Sequence, residues 1–128
     1  MDIVNQISYL QKQLDVSIKA LRKTGEEYAR AYTDYRIALA KELLELKNEG
    51  YAITLAGDIA RGKPEIAKLK FKEISTEAIY KANLESINAL KIEIKVLSNQ
   101  YDKEWGNSEW NIIVFLSKVV HSKMNLKS

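Results

Sequence analysis

The sequence predicts an all-α protein: a long antiparallel helical hairpin of coiled-coil type, a short helical connector and an apolar C-terminal helix. Three observations carry this expectation. Apolar residues recur at helical spacing through residues 2–49 and again through 64–105. The stretch between them, GYAITLAGDIARGKP, holds three of the five glycines and the only proline, the residues that punctuate helices. The two periodic segments span 48 and 42 residues, a matched pair of hairpin arms, each about 60–70 Å long at about 1.5 Å per residue.

In the first arm (1–49), Ile7, Leu14, Leu21, Tyr28 and Tyr35 repeat at intervals of seven, and Ile3, Leu10, Ile18, Tyr32, Leu39, Leu43 and Leu46 fill the shorter steps. Such a stripe marks a helix packed lengthwise on another. Asp2 suits the N-cap. Opposite charges four residues apart (Asp15 with Lys19, Lys23 with Glu27, Glu26 with Arg30, Arg30 with Asp34) support a solvated face. Gly25 costs about 1 kcal/mol relative to alanine inside a helix. The stripe keeps its register across it, so the arm reads as one continuous or gently bent helix.

Gly50 suits the left-handed cap that ends a helix. In the connector (50–63), Thr54 is placed to cap a short helix, Leu55 to Arg61, closed by Gly62. Pro64 fits the first turn of the next helix, where its missing N–H costs nothing. The second arm (64–105) carries Ile66, Leu69, Ile74, Tyr80, Leu84, Ile87, Leu90, Ile94, Leu97, Tyr101 and Trp105 on one stripe. Ile79, Ala82, Ala89, Ile92 and Val96 widen it, enough to touch more than one neighbour. Glu77, Lys81 and Glu85 form a charged series on the polar side. Gly106-Asn107-Ser108 ends this arm, with Ser108 as cap of a last helix near 109–124 within the C-terminal segment 106–128. That helix has Trp110, Ile113, Val114, Val120 and Met124 on one face and Ile112, Phe115, Leu116 and Val119 on the other. Being apolar nearly all round, it calls for burial or self-association, which makes Trp110, Ile113, Val114, Phe115, Leu116, Val119 and Val120 the candidate self-association residues.

At 128 residues the chain reads as a single helical domain of globular composition, 46% hydrophobic and 29% charged. It has no cysteine, which excludes a disulfide scaffold and cysteine-ligated zinc. The start, MDIVNQISYLQKQLD, lacks the basic and apolar regions of a secretory signal, and no run of 18 apolar residues occurs. The expected location is therefore a cytoplasm, without a membrane-spanning segment. The net charge of +3 is mild and permits nucleic-acid contact without arguing for it.

Candidate chemistry is sparse, and neither a cofactor nor a metal is expected. His121 is the only histidine, and nothing places a nucleophile beside it, so it reads as a surface or cap histidine. Glu42, Glu45 and Glu49, and likewise Glu73 and Glu77, share helix faces. The Glu-x-x-His pairs of a di-iron bundle are missing, so these read as solvated faces. Gly57 to Lys63 has the G-x-x-x-x-G-K spacing of a phosphate loop. Pro64 stands where Ser or Thr must hold magnesium, and no strand precedes it. A helix-turn-helix reading of Thr54 to Ile66 fails because the following helix is far too long.

Tyr28, Tyr32 and Tyr35, with Arg30 and Arg36 nearby, could stack bases, but they coincide with the core stripe and read as buried rings with hydroxyls at its edge. The more informative cluster is Arg61, Lys63, Lys68, Lys70 and Lys72, which with Glu65 gives +4 over twelve residues at the expected hairpin tip. Positive charge at a helix start opposes the macrodipole, which marks these five as candidate partner-binding residues. The apolar C-terminal helix, with Lys118, Lys123 and Lys127, also suits an anionic lipid surface, but its apolar residues are not confined to one face.

Tyr35-Arg36-Ile37-Ala38-Leu39-Ala40-Lys41-Glu42-Leu43-Leu44, then Thr54-Leu55-Ala56-Gly57-Asp58-Ile59-Ala60-Arg61-Gly62, then Ala67-Lys68-Leu69-Lys70 and Ile79-Tyr80-Lys81-Ala82 resemble a family of small helical proteins of phages and prophages of Gram-positive bacteria. The resemblance covers roughly residues 28–105; it carries no catalytic signature and does not extend to residues 106–128. It implies a phage protein made in a bacterial host, for genome handling or for subverting a host system. The function expected is that of a non-catalytic interaction protein binding a host or phage protein, including as an inhibitor of antiviral defence. The alternative is a DNA- or RNA-binding accessory of phage replication or recombination. A homo-oligomer, a dimer first, is expected from the broad stripe and the apolar tail.

Overall fold

In the computed structural model, residues 2–105 and 109–125 are described. They form four helices, α1 (Ile3–Asn48), α2 (Ile53–Gly62), α3 (Pro64–Trp105) and α4 (Glu109–Asn125), and among them there is no strand. The protein is therefore all-α, with a long first helix packed on a long third one. Contacts divide the chain into two compact units, one of Met1–Leu21 with Asn83–Ser128 and one of Arg22–Ala82. The expected break at Gly106-Asn107-Ser108 and the Ser108 cap lie outside the described residues.

The helix ends follow from local chemistry. Asp2 caps α1: its Oδ1 accepts the Asn5 backbone N–H at 2.8 Å and its carbonyl accepts that of Gln6 at 2.9 Å, which satisfies donors a helix start leaves over. At the other end Gly50 has φ +99°. The Tyr51 N–H reaches the Leu46 carbonyl at 3.2 Å and the Gly50 N–H reaches that of Lys47 at 3.0 Å, the pair of bonds of a Schellman cap. α1 runs unbroken through Gly25.

Two expectations about the connector need correction. Thr54 lies inside α2, which starts at Ile53 with no side-chain cap. Ala52, extended at φ −62° and ψ 147°, supplies only its carbonyl, to the Ala56 N–H at 2.8 Å. Gly62 is the last residue of α2, and the stop comes at Lys63, extended at φ −68° and ψ 136°. A residue before proline is pushed out of the helical region by the ring. Lys63 then opens α3 by accepting the Ala67 N–H at 2.9 Å, with Pro64 at the first helical position as expected.

Unit 1 has an aliphatic core. Ile7, Leu14, Ile87 and Ile94 are buried together, and Ile3, Leu10, Ile18, Leu21, Leu90, Leu97 and Leu116 pack around them. Each such side chain removed from water contributes about 1.5–3 kcal/mol. Two polar contacts fix the register: the Asn83 side-chain amide donates to the Ser17 carbonyl at 2.9 Å, and the Ser17 and Ser86 hydroxyls lie 3.3 Å apart. Leu116 brings α4 onto this core. Lys123 of α4 pairs with Asp15 at 3.1 Å, and Lys19 approaches the same carboxylate at 3.2 Å.

Unit 2 is assembled differently. Leu46, Ala56 and Ala60 form a small core of α1 and α2, joined by Leu39, Leu43 and Ile59. Where α1 meets α3, the residues are glycine, alanine, tyrosine and glutamate. Ala31 is 2% exposed, whereas Tyr32, assigned to the stripe by its type, is 44% exposed. In α3 the seven-residue series is Ile66, Glu73, Tyr80, with Glu73 buried. The expected stripe members Ile74 and Trp105 are exposed instead. Alpha-helical geometry decides these cases: position on the face outranks residue type.

Candidate functional site

The charged and aromatic side chains that sequence alone singles out lie mainly in unit 2, and the structure sorts them into engaged and free. The Tyr28 hydroxyl donates to Glu77 Oε2 at 2.6 Å. Its ring stacks on Tyr80 at 6.0 Å between centroids and meets Tyr32 edge-on at 6.5 Å. A side chain at Gly25 would come within 3.3 Å of the Tyr80 ring. The glycine that costs helix stability is therefore what lets that ring approach α1. The hydrogen bond to Glu77, with partial burial, pushes the Tyr28 hydroxyl up to about 12. The same bond, helped by Lys81, lowers the Glu77 carboxyl.

Next along α3, Lys70 donates to Glu73 at 3.1 Å, and its ammonium sits 4.8 Å from the centre of the Tyr35 ring. Lys63 hydrogen-bonds to Glu42, and this contact raises the Lys63 pKa. Glu42, Glu73 and Glu77 were expected on solvated faces. Glu73 is buried, and the other two are half-buried and bonded to the facing elements. The bonds of Glu77 to Tyr28 and of Glu42 to Lys63 favour one register, because a slip of α1 would strand a carboxylate without its partner.

Of the five candidate cations, then, Lys63 and Lys70 are engaged within the unit. Arg61, Lys68 and Lys72 are exposed. The Arg61 guanidinium lies along its own helix, close enough that a Cβ at Gly57 would sit 2.9 Å from it. Phe71, between Lys70 and Lys72, is 73% exposed. The phosphate-loop spacing falls inside α2 and on its stop at Lys63, where hydrogen bonds of the helix and its cap already use the backbone N–H groups that would cradle a phosphate.

The second free surface of unit 2 is apolar. Ile37, Leu44 and Ile53 are 51%, 61% and 74% exposed. Leu43, Leu44, Ala40, Ile53 and Ala56 line a groove between α1 and α2, with Lys47 at its side. Composition signals this surface weakly, because Ile37, Ala40 and Leu44 lie off the seven-residue stripe.

In unit 1 the candidate self-association residues are placed by α4. Leu116 packs on the aliphatic core and Val119 is half-buried, while Ile113, Phe115 and Val120 are exposed. The Trp110 and Val114 side chains lie outside the described ones. His121 is exposed on α4. Sequence reasoning passes over Ser98, which is 2% exposed. One signal could have found it: it follows Leu97 in the stripe, four residues from Ile94.

Among the described residues, no helix is long and apolar enough to cross a membrane, and no group of three or more His, Cys, Asp or Glu is placed to hold a metal ion. No family model matches the chain, and no curated protein or solved structure is found to be similar to it.

Proposed function

We propose that this is a non-catalytic interaction protein that binds a protein partner through the outer face of unit 2. The observation that supports this best is the apolar ridge of Ile37, Ala40 and Leu44 beside the groove that Ile53 and Ala56 line. The three α1 residues, spaced three and four apart, form one continuous strip. Contiguous exposed apolar surface of this kind is characteristic of protein interaction sites. A partner helix with its own apolar stripe fits such a groove.

The finer architecture belongs to the same reading. An antiparallel coiled-coil hairpin is supported within unit 2 by the pairing of Tyr28 with Glu77 and Tyr80, Tyr35 with Lys70, and Glu42 with Lys63, in which one number falls as the other rises. A homodimer is supported by exposed Tyr9, Ile92 and Val96, which line one groove of unit 1. A phage origin, a cytoplasmic setting and a host or phage partner, antiviral-defence components included, rest on the resemblance of the strings between residues 28 and 105.

The test is capture from a bacterial lysate treated with nuclease, using the full chain and a Leu44→Glu, Ile53→Glu variant. A stoichiometric protein retained by the first and lost by the second is the expected result. Recovery of nucleic acid alone, or capture indifferent to the two substitutions, rejects the proposal.

A second reading has its own observation. Exposed Phe71 stands with Lys68 and Lys72, both exposed, and an aromatic ring among cations suits a single-stranded nucleic acid. Binding would then fall steeply with salt, and Lys68→Glu with Lys72→Glu would abolish it. Absence of binding at low salt rejects this reading.

A further inference from the structure

We infer that unit 1 contains a binding site for a small, neutral, mainly apolar molecule that carries a hydrogen-bond acceptor such as a carbonyl. The site is a cavity of 420 Å³ among α1, α3 and α4, inside the range of about 300–1,000 Å³ common for small-molecule pockets. Val4 and Ile7 of α1 and Phe115 of α4 give it apolar walls; Gln11, Ser98 and Tyr101 give it polar groups.

Two of those polar groups are unanswered. Ser98 is 2% exposed, and its Oγ has no hydrogen-bond partner; the buried Gln11 Nε2 also has none. Buried polar atoms are paired in the great majority of cases, and those that are not call for an explanation. The carboxamide nitrogen of Gln11 only donates, and the Ser98 hydroxyl can donate. Two donors facing an apolar space specify an acceptor on an apolar body. Among the described residues no charged side chain lines the cavity, so its inner end beside Ser98 offers an anionic group no counter-charge. That selects a neutral carbonyl compound over a carboxylate. Phe115 makes α4 one wall, so a bound molecule adds contacts that hold α4 on α1 and α3. This inference is independent of the surface proposed on unit 2.

The experiment is an NMR titration of the full chain with acetanilide, a neutral apolar carbonyl, alongside benzoate and ethylbenzene. Saturable shifts at Ser98, Tyr101 and Phe115, with slowed amide exchange in α4, are expected for acetanilide, and weaker binding for benzoate. Ser98→Ala and Gln11→Leu should each weaken acetanilide roughly tenfold, the effect of about one hydrogen bond. Neither should weaken ethylbenzene. The two substitutions lie on different helices, so failure of one variant to fold leaves the other as the test. The inference is overturned if acetanilide gives no saturable shift up to its solubility. It is also overturned if both variants bind acetanilide unchanged, if benzoate binds as tightly, or if water cross-relaxing with Ser98 is not displaced.

Discussion

In unit 1, α1 and α3 meet through Ile7, Leu14, Ile87 and Ile94. In unit 2 the same two helices meet through Gly25, Tyr28, Tyr35, Lys70, Glu73, Glu77 and Tyr80. Both sets follow one seven-residue geometry, so spacing alone does not separate them. What differs is the type of interaction. Aliphatic contacts are strong, non-directional and tolerant of small shifts. Hydrogen bonds and ring contacts contribute less net stability but reward one alignment. Where α1 meets α3, unit 1 thus relies mainly on apolar burial and unit 2 mainly on directional contacts, and the outer apolar ridge of unit 2 stays exposed.

The contrast is sharpest under truncation. Ile94 is 4% exposed in the aliphatic core. Ile94→Ala should cost about 2–5 kcal/mol, the range for deleting a buried aliphatic side chain and leaving a cavity. Urea unfolding measures the loss, and hydrogen exchange should show it first in the amides of unit 1. Equal acceleration in unit 2 would break the distinction drawn between them.

Overfilling tests the other side. Gly25→Leu should destabilise by about 1–3 kcal/mol, as extra methylenes in a packed site do, because they must displace the Tyr80 ring. Gly25→Ala is the finer probe. Its Cβ would stand 3.3 Å from Tyr80 Cε1, and the ring must yield slightly. That cost opposes a gain of about 1 kcal/mol in helix propensity, so thermal unfolding should show almost no net change.

A third substitution should have the opposite sign to the first. Glu73 is buried, and its partner Lys70 is close to the surface. Glu73→Leu places an apolar group at a core position and releases Lys70 to water. Replacing a buried charge by a fitting apolar residue is commonly neutral or stabilising; a gain of about 1 kcal/mol is expected in urea. A large loss would mean that the Glu73 carboxylate contributes to stability.

These residues also mark how far the fold was legible in the sequence. The four helices, the Asp2 and Gly50 caps and the place of Pro64 could be read directly, because caps and prolines act through local backbone chemistry. The stripe in α1 was readable wherever its members were aliphatic. In unit 2, counting only large apolar residues chose Tyr32 over Ala31 in α1 and Ile74 over Glu73 in α3, and in unit 1 the same habit placed the exposed Trp105 on the α3 stripe. The sevens Ile66, Glu73, Tyr80, Ile87, Ile94 and Tyr101 run straight through that error, and following position instead of type would have placed Glu73 inside. Thr54 was misplaced because a capping residue type does not fix the backbone, and Ala52 took the extended conformation. The candidate site was legible only in part. The five cations were visible as charge, but which of them are spent on Glu42 and Glu73 depends on pairings between distant positions. The ridge of Ile37, Ala40 and Leu44 was hidden because exposure is a property of the packed chain.

The smallest effect expected concerns pH, and it separates the two units without changing their packing. The Glu77 carboxyl is lowered by Tyr28 and Lys81. Its contribution is therefore complete above the ordinary carboxyl pKa of about 4.3 and is lost as pH falls through the depressed value. The Tyr28 hydroxyl moves the other way, from 10.0 to about 12. Its contribution is complete below 10.0 and is lost as pH rises between those two values. Contacts among Ile7, Leu14, Ile87 and Ile94 involve no titrating group, but Lys123 and Lys19 lower the Asp15 carboxyl of unit 1, so unit 1 should share the acid limb and not the alkaline one. Amide exchange in unit 2 should then accelerate relative to unit 1 at the alkaline end of the pH range. Tyr28→Phe removes the hydroxyl but keeps the ring on Tyr80. It should weaken the alkaline limb, leaving the part that the raised Lys63 carries, and move the acid limb to higher pH, since Glu77 keeps only Lys81 as a partner. Tyr9→Phe, at an exposed position of unit 1, is the control. If Tyr28→Phe and Tyr9→Phe give the same profile, the Tyr28–Glu77 bond does not set the register of unit 2, and the contacts of Glu42 with Lys63 and of Tyr35 with Lys70 must do so.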